Sequence, residues 1–329
     1  MPFLPVIVSA TELTPQQQQQ QQQQYGQESV ALAPSADSLY VYCEQDAVVV
    51  AALEALQRRL GFGVVPPMWL LWRMRKVLVA PAPRPALDLS GLGGELLQHR
   101  AALTAALDSL CDQVGGGGVR VDVCKTRLDG AVLWMLLRRC SHIDARASAL
   151  FWDDAAELVA LARAEANSGT RMAVEGQKDV TSLPPPPLPV LPVVELILQH
   201  NYLLLEQASS GEGFVSLDDD GSNTLGEALS LLLSCSPRLE RLDLSYCIED
   251  NIDAQDMADA VAQAVESRTA ARLAAPREIA IRGLERELKS GGGQGAGDAA
   301  LLAFKRRTEI ALPGTMVDIS GFNFSTNHI

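Results

Sequence analysis

Aromatic side chains make up only 5% of the 329 residues, and histidine occurs four times. A core so poor in rings must be built from leucine and alanine, whose small apolar surfaces suit many short strands and helices stacked side by side. Six cysteines (Cys43, Cys111, Cys124, Cys140, Cys235, Cys247) form no C-x-x-C pair. That spacing excludes a zinc-ligand cluster and a small disulfide framework. Buried reduced thiols in a cytoplasmic chain are expected instead, with a nuclear or cytoskeleton-associated setting as the variant. No basic residue precedes Arg58, so the start reads as neither a secretory signal nor an Arg-rich presequence. Pro66–Pro67, the prolines between Pro184 and Pro192, and scattered charges interrupt every apolar stretch well short of the about 20 residues that cross a bilayer. No membrane is expected.

Signatures of chemistry are missing too. The chain has no G-x-x-x-x-G-K-[ST], no G-x-S-x-G and no H-x-x-x-H. Gly91-Leu-Gly93-Gly94 lacks the third glycine of a dinucleotide turn, because Leu96 stands there. Ser216–Glu227 matches the calcium-loop spacing at Asp218, Asp220, Gly221 and Glu227, but opens on Ser and carries Asn223 at its eighth position. It reads as an acidic loop whose Ser222 or Asn223 caps the next helix. Trp69-Leu-Leu-Trp72-Arg-Met-Arg-Lys76 reads as a short capping helix rather than a membrane-surface segment. The expectation is a protein without catalytic residues, metal or cofactor.

The formal charge is −13, and cations cluster in short runs such as Arg73–Lys76, Arg138–Arg139 and Lys305–Arg307. A chain so acidic repels phosphate backbones, which excludes nucleic acid and points to a protein partner with a basic or mixed-charge surface.

From Ser38 onward a short alternating strand, a small-residue turn and an Ala/Leu-rich helix recur. Two units are diagnostic. Val193-Val-Glu-Leu196-Ile-Leu198-Gln-His-Asn201-Tyr-Leu203 and Leu239-Glu-Arg-Leu242-Asp-Leu244-Ser-Tyr-Cys247 both fit L-x-x-L-x-L-x-x-[N/C], apart from Val193 for Leu. Leu196 and Leu198, like Leu242 and Leu244, point to one face of a strand, and Asn201 or Cys247 turns the chain out of it. Weaker copies are Leu39–Val41, Leu87–Leu89, Val121–Val123, Ile143–Ala145, Met172–Val174, Ile279–Ile281 and Ile310–Leu312. Helices are expected over Ala47–Leu60, Glu95–Leu110, Ala131–Arg139, Asp154–Ala166, Thr224–Leu233, Ala254–Ser267 and Gly297–Arg307.

These units resemble the leucine-rich-repeat family, in its ribonuclease-inhibitor-like branch, with a cysteine-type repeat at 239–247. The resemblance implies an α/β solenoid, a curved parallel sheet with helices on its convex side. The expected organisation is a disordered Gln-rich tail at 1–36 and a capping or first-repeat region at 37–84. An irregular repeat domain follows at 85–329, with inserts at 115–118, 181–192, 207–222 and 284–297. The outward positions of the concave face would be Tyr40, Tyr42, Asp88, Asp122, Asp144, Arg146, Glu175, Gln199, Asp243, Ser245 and Arg282, with carboxylates concentrated toward the N-terminal half. The function so implied is a protein-interaction scaffold or adaptor. The alternatives are a substrate adaptor of a ubiquitin ligase, a small-GTPase regulator, and a structural subunit of a cytoskeletal or organellar assembly.

Overall fold

The computed structural model describes residues 47–61, 66–80, 85–114, 118–174, 189–201, 203, 205–206, 215–216, 220–248, 251–285 and 296–320. The expected Gln-rich tail, Tyr40, Tyr42, Glu175 and most of the four inserts lie outside them. The chain forms two compact units: Met1–Leu87 with Ala101–Gly115, and Asp88–Arg100 with Gly116–Ile329.

In the first unit, helices α1 (Ala47–Leu60) and α2 (Met68–Val79) pack on each other. Val49, Ala52 and Leu56 recur at three- and four-residue steps on α1 and are buried. Arg58 and Arg59 complement the last turn, and Gly61 (φ 84°) closes it by donating to the Gln57 carbonyl at 3.1 Å. Leu70, Leu71, Met74, Val77 and Leu78 form the buried stripe of α2, which leaves Trp72 exposed with the Lys76 ammonium 3.5 Å from its ring centre.

The second unit is an α/β layer built on an open seven-stranded sheet in the order β1-β2-β3-β4-β7-β8-β9. Its strands are β1 (Leu87–Asp88), β2 (Val119–Asp122), β3 (Cys140–Asp144), β4 (Glu195–Ile197), β7 (Arg241–Asp243), β8 (Glu278–Ala280) and β9 (Met316–Asp318), while β5 (Leu205–Glu206) and β6 (Val215–Ser216) make a separate antiparallel pair. From β2 to β9 the pairings are parallel and in register: Val121, Ile143, Leu196, Leu242, Ile279 and Val317 lie side by side. The two diagnostic units are therefore direct neighbours, with Leu196 opposite Leu242. Leu196, Leu198, Leu242 and Leu244 are at most 3% exposed.

Parallel neighbours need long crossovers, and helices supply them. Helices α5 (Gly130–Arg139), α6 (Trp152–Val174), α7 (Asp220–Cys235), α8 (Asn251–Ala270) and α9 (Ala296–Ala311) pack in that sequence, each on the next, in step with the strands they join. Asp129 caps α5 by accepting from the Val132 amide. The expected helix over Glu95–Leu110 is two, α3 (Glu95–Gln98) and α4 (Arg100–Val114), separated at His99.

Two expected strands are helical. Met172–Val174 is the last turn of α6, and Ile310–Ala311 ends α9. Three residues alternating apolar-small-apolar satisfy the helical and the extended period equally, so the length of the preceding helix decides. The strand beyond α9 lies further on: Pro313 and Gly314 (φ 92°) end the helix and Val317 takes the rung. Helix α7 also begins at Asp220, inside the segment expected as an insert.

Candidate functional site

The face of the sheet turned away from the leucines carries three rows of side chains. The middle row is Asp88, Asp122, Asp144, Ile197, Asp243, Ala280 and Asp318; strand register aligns Asp122 through Asp318, and the Leu89 amide bonded to the Asp122 carbonyl places Asp88 before them. Each of the five carboxylates accepts the amide N–H two residues on, from Ser90, Cys124, Arg146, Ser245 and Ser320 respectively. Aspartate recurs here because its short side chain satisfies the first amide of the turn leaving the strand.

Arginines neutralise much of this row. Arg146 clamps Asp144 with Nε and Nη2, at 2.9 and 2.8 Å. Arg282 Nε lies 2.8 Å from Asp318. Asp243 is fully buried between Arg241 at 3.2 Å and the Gln199 amide at 2.7 Å. Burial opposes ionisation of Asp318, but its bonds from Arg282 and Ser320 outweigh that and hold its carboxyl below the usual range.

A row that the sequence reading left out lies two residues earlier: Arg120, His142, Glu195, Arg241, Glu278 and Met316, again in register. Arg241 bridges Glu195 at 3.0 Å and Glu278 at 3.4 Å. Burial, then the Arg120 charge, lowers the pKa of His142, which is therefore neutral at pH 7. The third row holds Ser90, Cys124, Arg146, Gln199, Ser245, Arg282 and Ser320. Exposed residues of both signs concentrate at the early strands, where Asp88, Arg120, Lys125 and Arg146 face solvent.

Behind the rows, one side chain on each of four successive rungs stitches its turn to the preceding rung. Thr126 Oγ1 donates to the Leu89 carbonyl at 2.9 Å, Ser148 Oγ to Val123 at 2.7 Å, Asn201 Nδ2 to Ala145 at 2.8 Å and Cys247 Sγ to Leu198 at 3.1 Å. Asn201 and Cys247 were legible from the repeat template; Thr126 and Ser148 were not, although they are the remaining small side chains able to donate at that offset. The shared string Leu87-Asp-Leu-Ser-Gly, Leu242-Asp-Leu-Ser-Tyr and Val317-Asp-Ile-Ser-Gly would have located the last rung.

Asp122, Cys124 and Asp144 offer ligand atoms within 4.8 Å of one another. The Cys124 thiol, however, donates to Asp144 Oδ1 at 3.0 Å, and Arg146 already supplies the positive charge. Burial first, then the two carboxylates, push the Cys124 thiol up to about 12, which disfavours a free thiolate at neutral pH. Ser141 approaches His142 Nδ1 at 2.9 Å, but its hydroxyl is buried against the Val119 carbonyl. The calcium-loop spacing fails because Asp220–Glu227 is helix. Gly91 belongs to a repeat turn, followed by the four-residue α3.

Buried thiols make the unit sensitive to alkali. Desolvation raises Cys247 to about 12 and Cys235 to about 11. A thiol held protonated by the fold loses stabilisation once the unfolded chain ionises and the folded one does not. Stability should therefore fall between pH 9 and 12, on the order of 1 kcal/mol per pH unit for the fully buried Cys247. Thermal melts from pH 7 to 11 check this; Cys247→Ser should flatten the slope.

No family model matches the chain, and no curated protein shows significant similarity to it.

Proposed function

We propose that the sheet unit is an irregular leucine-rich-repeat module, close in design to the ribonuclease-inhibitor-like branch, that binds a protein partner on its exposed strand face and performs no catalysis itself. The observation that carries this reading is the strand face itself. Helices accompany the strands in step, while the opposite face offers aligned polar rows, half-buried at their base and charged at their tips. Stacked repeats bury their apolar sides against each other and leave a broad surface free for recognition.

The partner is of mixed charge. Most carboxylates on the face already hold an arginine, so a purely basic partner would gain little there, whereas the exposed set of Asp88, Arg120, Lys125 and Arg146 rewards an alternating one. The test is the double swap Asp88→Lys with Arg120→Glu. Interacting proteins captured by the wild-type chain at low and moderate salt should be lost by the variant, compared at a temperature where both chains are folded because Asp88→Lys also gives up the two bonds from Ser90. The same set retained at both salt concentrations would remove the strand face from the proposal.

A further inference from the structure

At the end of six successive rungs, three residues past the middle row, the backbone turns left-handed. The positions are Gly91 (φ 70°), Lys125 (55°), Ala147 (52°), His200 (56°), Tyr246 (61°) and Gly283 (101°). The first and last show that glycine serves the turn without a side chain. The left-handed region costs other residues about 1–2 kcal/mol, so the turn itself does not call for Lys125, His200 or Tyr246. Amide bonds bind the series into a ridge along the C-terminal edge of the strands: Lys125 donates to Arg146, Ala147 to Gln199, His200 to Ser245 and Tyr246 to Arg282.

His200 and Tyr246 stack, with ring centres 4.8 Å apart and planes 16° from parallel. Tyr246 leans toward the next rung, where a Cβ on Gly283 would meet its Cδ1 at 3.9 Å. The other face of the imidazole looks toward the rung of Ala147, which offers only an exposed methyl, and beyond it stands exposed Lys125. Rungs repeat about every 4.8 Å, so His200 and Lys125 are separated by about 10 Å, room for one planar ring between them.

We infer that this notch over Ala147 receives an aromatic side chain of the protein partner, stacked on His200 and faced by the Lys125 ammonium. Both neighbours favour an electron-rich ring, tryptophan or tyrosine, over a guanidinium, which Lys125 would repel. The inference rests on the reading of the sheet as a protein-binding unit, and assigns its specificity to the turn ridge rather than to the charged rows.

A random peptide library displayed on phage and selected against the full chain tests it. Selected peptides should share one aromatic residue at a fixed position. Their affinity should fall about tenfold on His200→Ala, and also on Ala147→Tyr, which fills the notch with a side chain that position 246 shows the turn can carry. Should Ala147→Tyr fail to fold, the His200 ring protons, assigned by comparison with His200→Ala, should shift upfield when a selected peptide is added. Peptides that lack a common aromatic, or that leave those protons unmoved, overturn the notch. If such peptides are nonetheless lost by the Asp88→Lys, Arg120→Glu chain, the strand-face reading survives alone; if they are indifferent to every one of these variants, both fall.

Discussion

Asn201→Ala is expected to remove about 4 kcal/mol of folding stability, a large part of what a domain has. The side chain is 2% exposed and makes four strong bonds. Its Nδ2 donates to the Ala145 and Leu198 carbonyls, both at 2.8 Å, and its Oδ1 accepts from the Ser148 amide at 3.0 Å and the Leu150 amide at 3.1 Å. Truncation removes the partner of the Ala145 carbonyl and of the Ser148 and Leu150 amides, at about 1–3 kcal/mol each before relaxation, while the Leu198 carbonyl keeps the Cys247 thiol. A drop in melting temperature of about 10 °C follows. Asn201→Asp separates the two halves of the effect, because a carboxylate still accepts from both amides but cannot donate. It should fall between wild type and alanine. Denaturant titration of the three chains reads the order; an alanine variant within 1 kcal/mol of wild type would show that water replaces the lost bonds.

Arg268→Met should cost about 3 kcal/mol. Arg268 is fully buried on α8 with no carboxylate beside it among its hydrogen-bond partners. The guanidinium instead donates to the Leu233 and Ser236 carbonyls at 2.7 and 2.8 Å, and to Ala274 at 2.7 Å. Leu233 lies in the last turn of α7, whose carbonyls lack helical partners and whose dipole favours a cation. Burial lowers the pKa of this guanidinium, a sign that the site opposes its charge, so removing it recovers some desolvation. The lost bonds dominate because three charge-assisted donations go at once, even though Ser236 keeps the Leu239 amide and Ala274 is exposed. Arg268→Lys should not rescue, since one ammonium cannot span the separate acceptors. Hydrogen exchange at the end of α7 should accelerate in both variants, and protection unchanged in Arg268→Met would contradict the capping role.

Much of the fold was legible because hydrophobic period and repeat spacing act locally. The α1 boundaries at Ala47 and Leu60 match the expected helix, and the rungs at Leu87, Val121, Ile143, Leu196, Leu242 and Ile279 all stand on strands or at their register positions. The two misplaced strands share one cause. Met172–Val174 and Ile310–Leu312 are too short to show a period, and each lies beside a helix long enough to absorb it. The face was read from every second residue of each strand, which found the Asp row but stopped one step short of Arg120, His142, Glu195, Arg241 and Glu278.

What the sequence settled by itself was the local unit: leucine pairs that must be buried, and an Asn or Cys placed just past the strand. Those are properties of a strand and its own turn. Only the tertiary structure decided which charges meet. Arg241 reaches Glu195 and Glu278 from neighbouring strands, and His200 finds Tyr246 although 46 positions separate them in the chain. Crossovers of unequal length set the rungs adjacent, so contacts across the ladder depend on register and not on distance along the sequence.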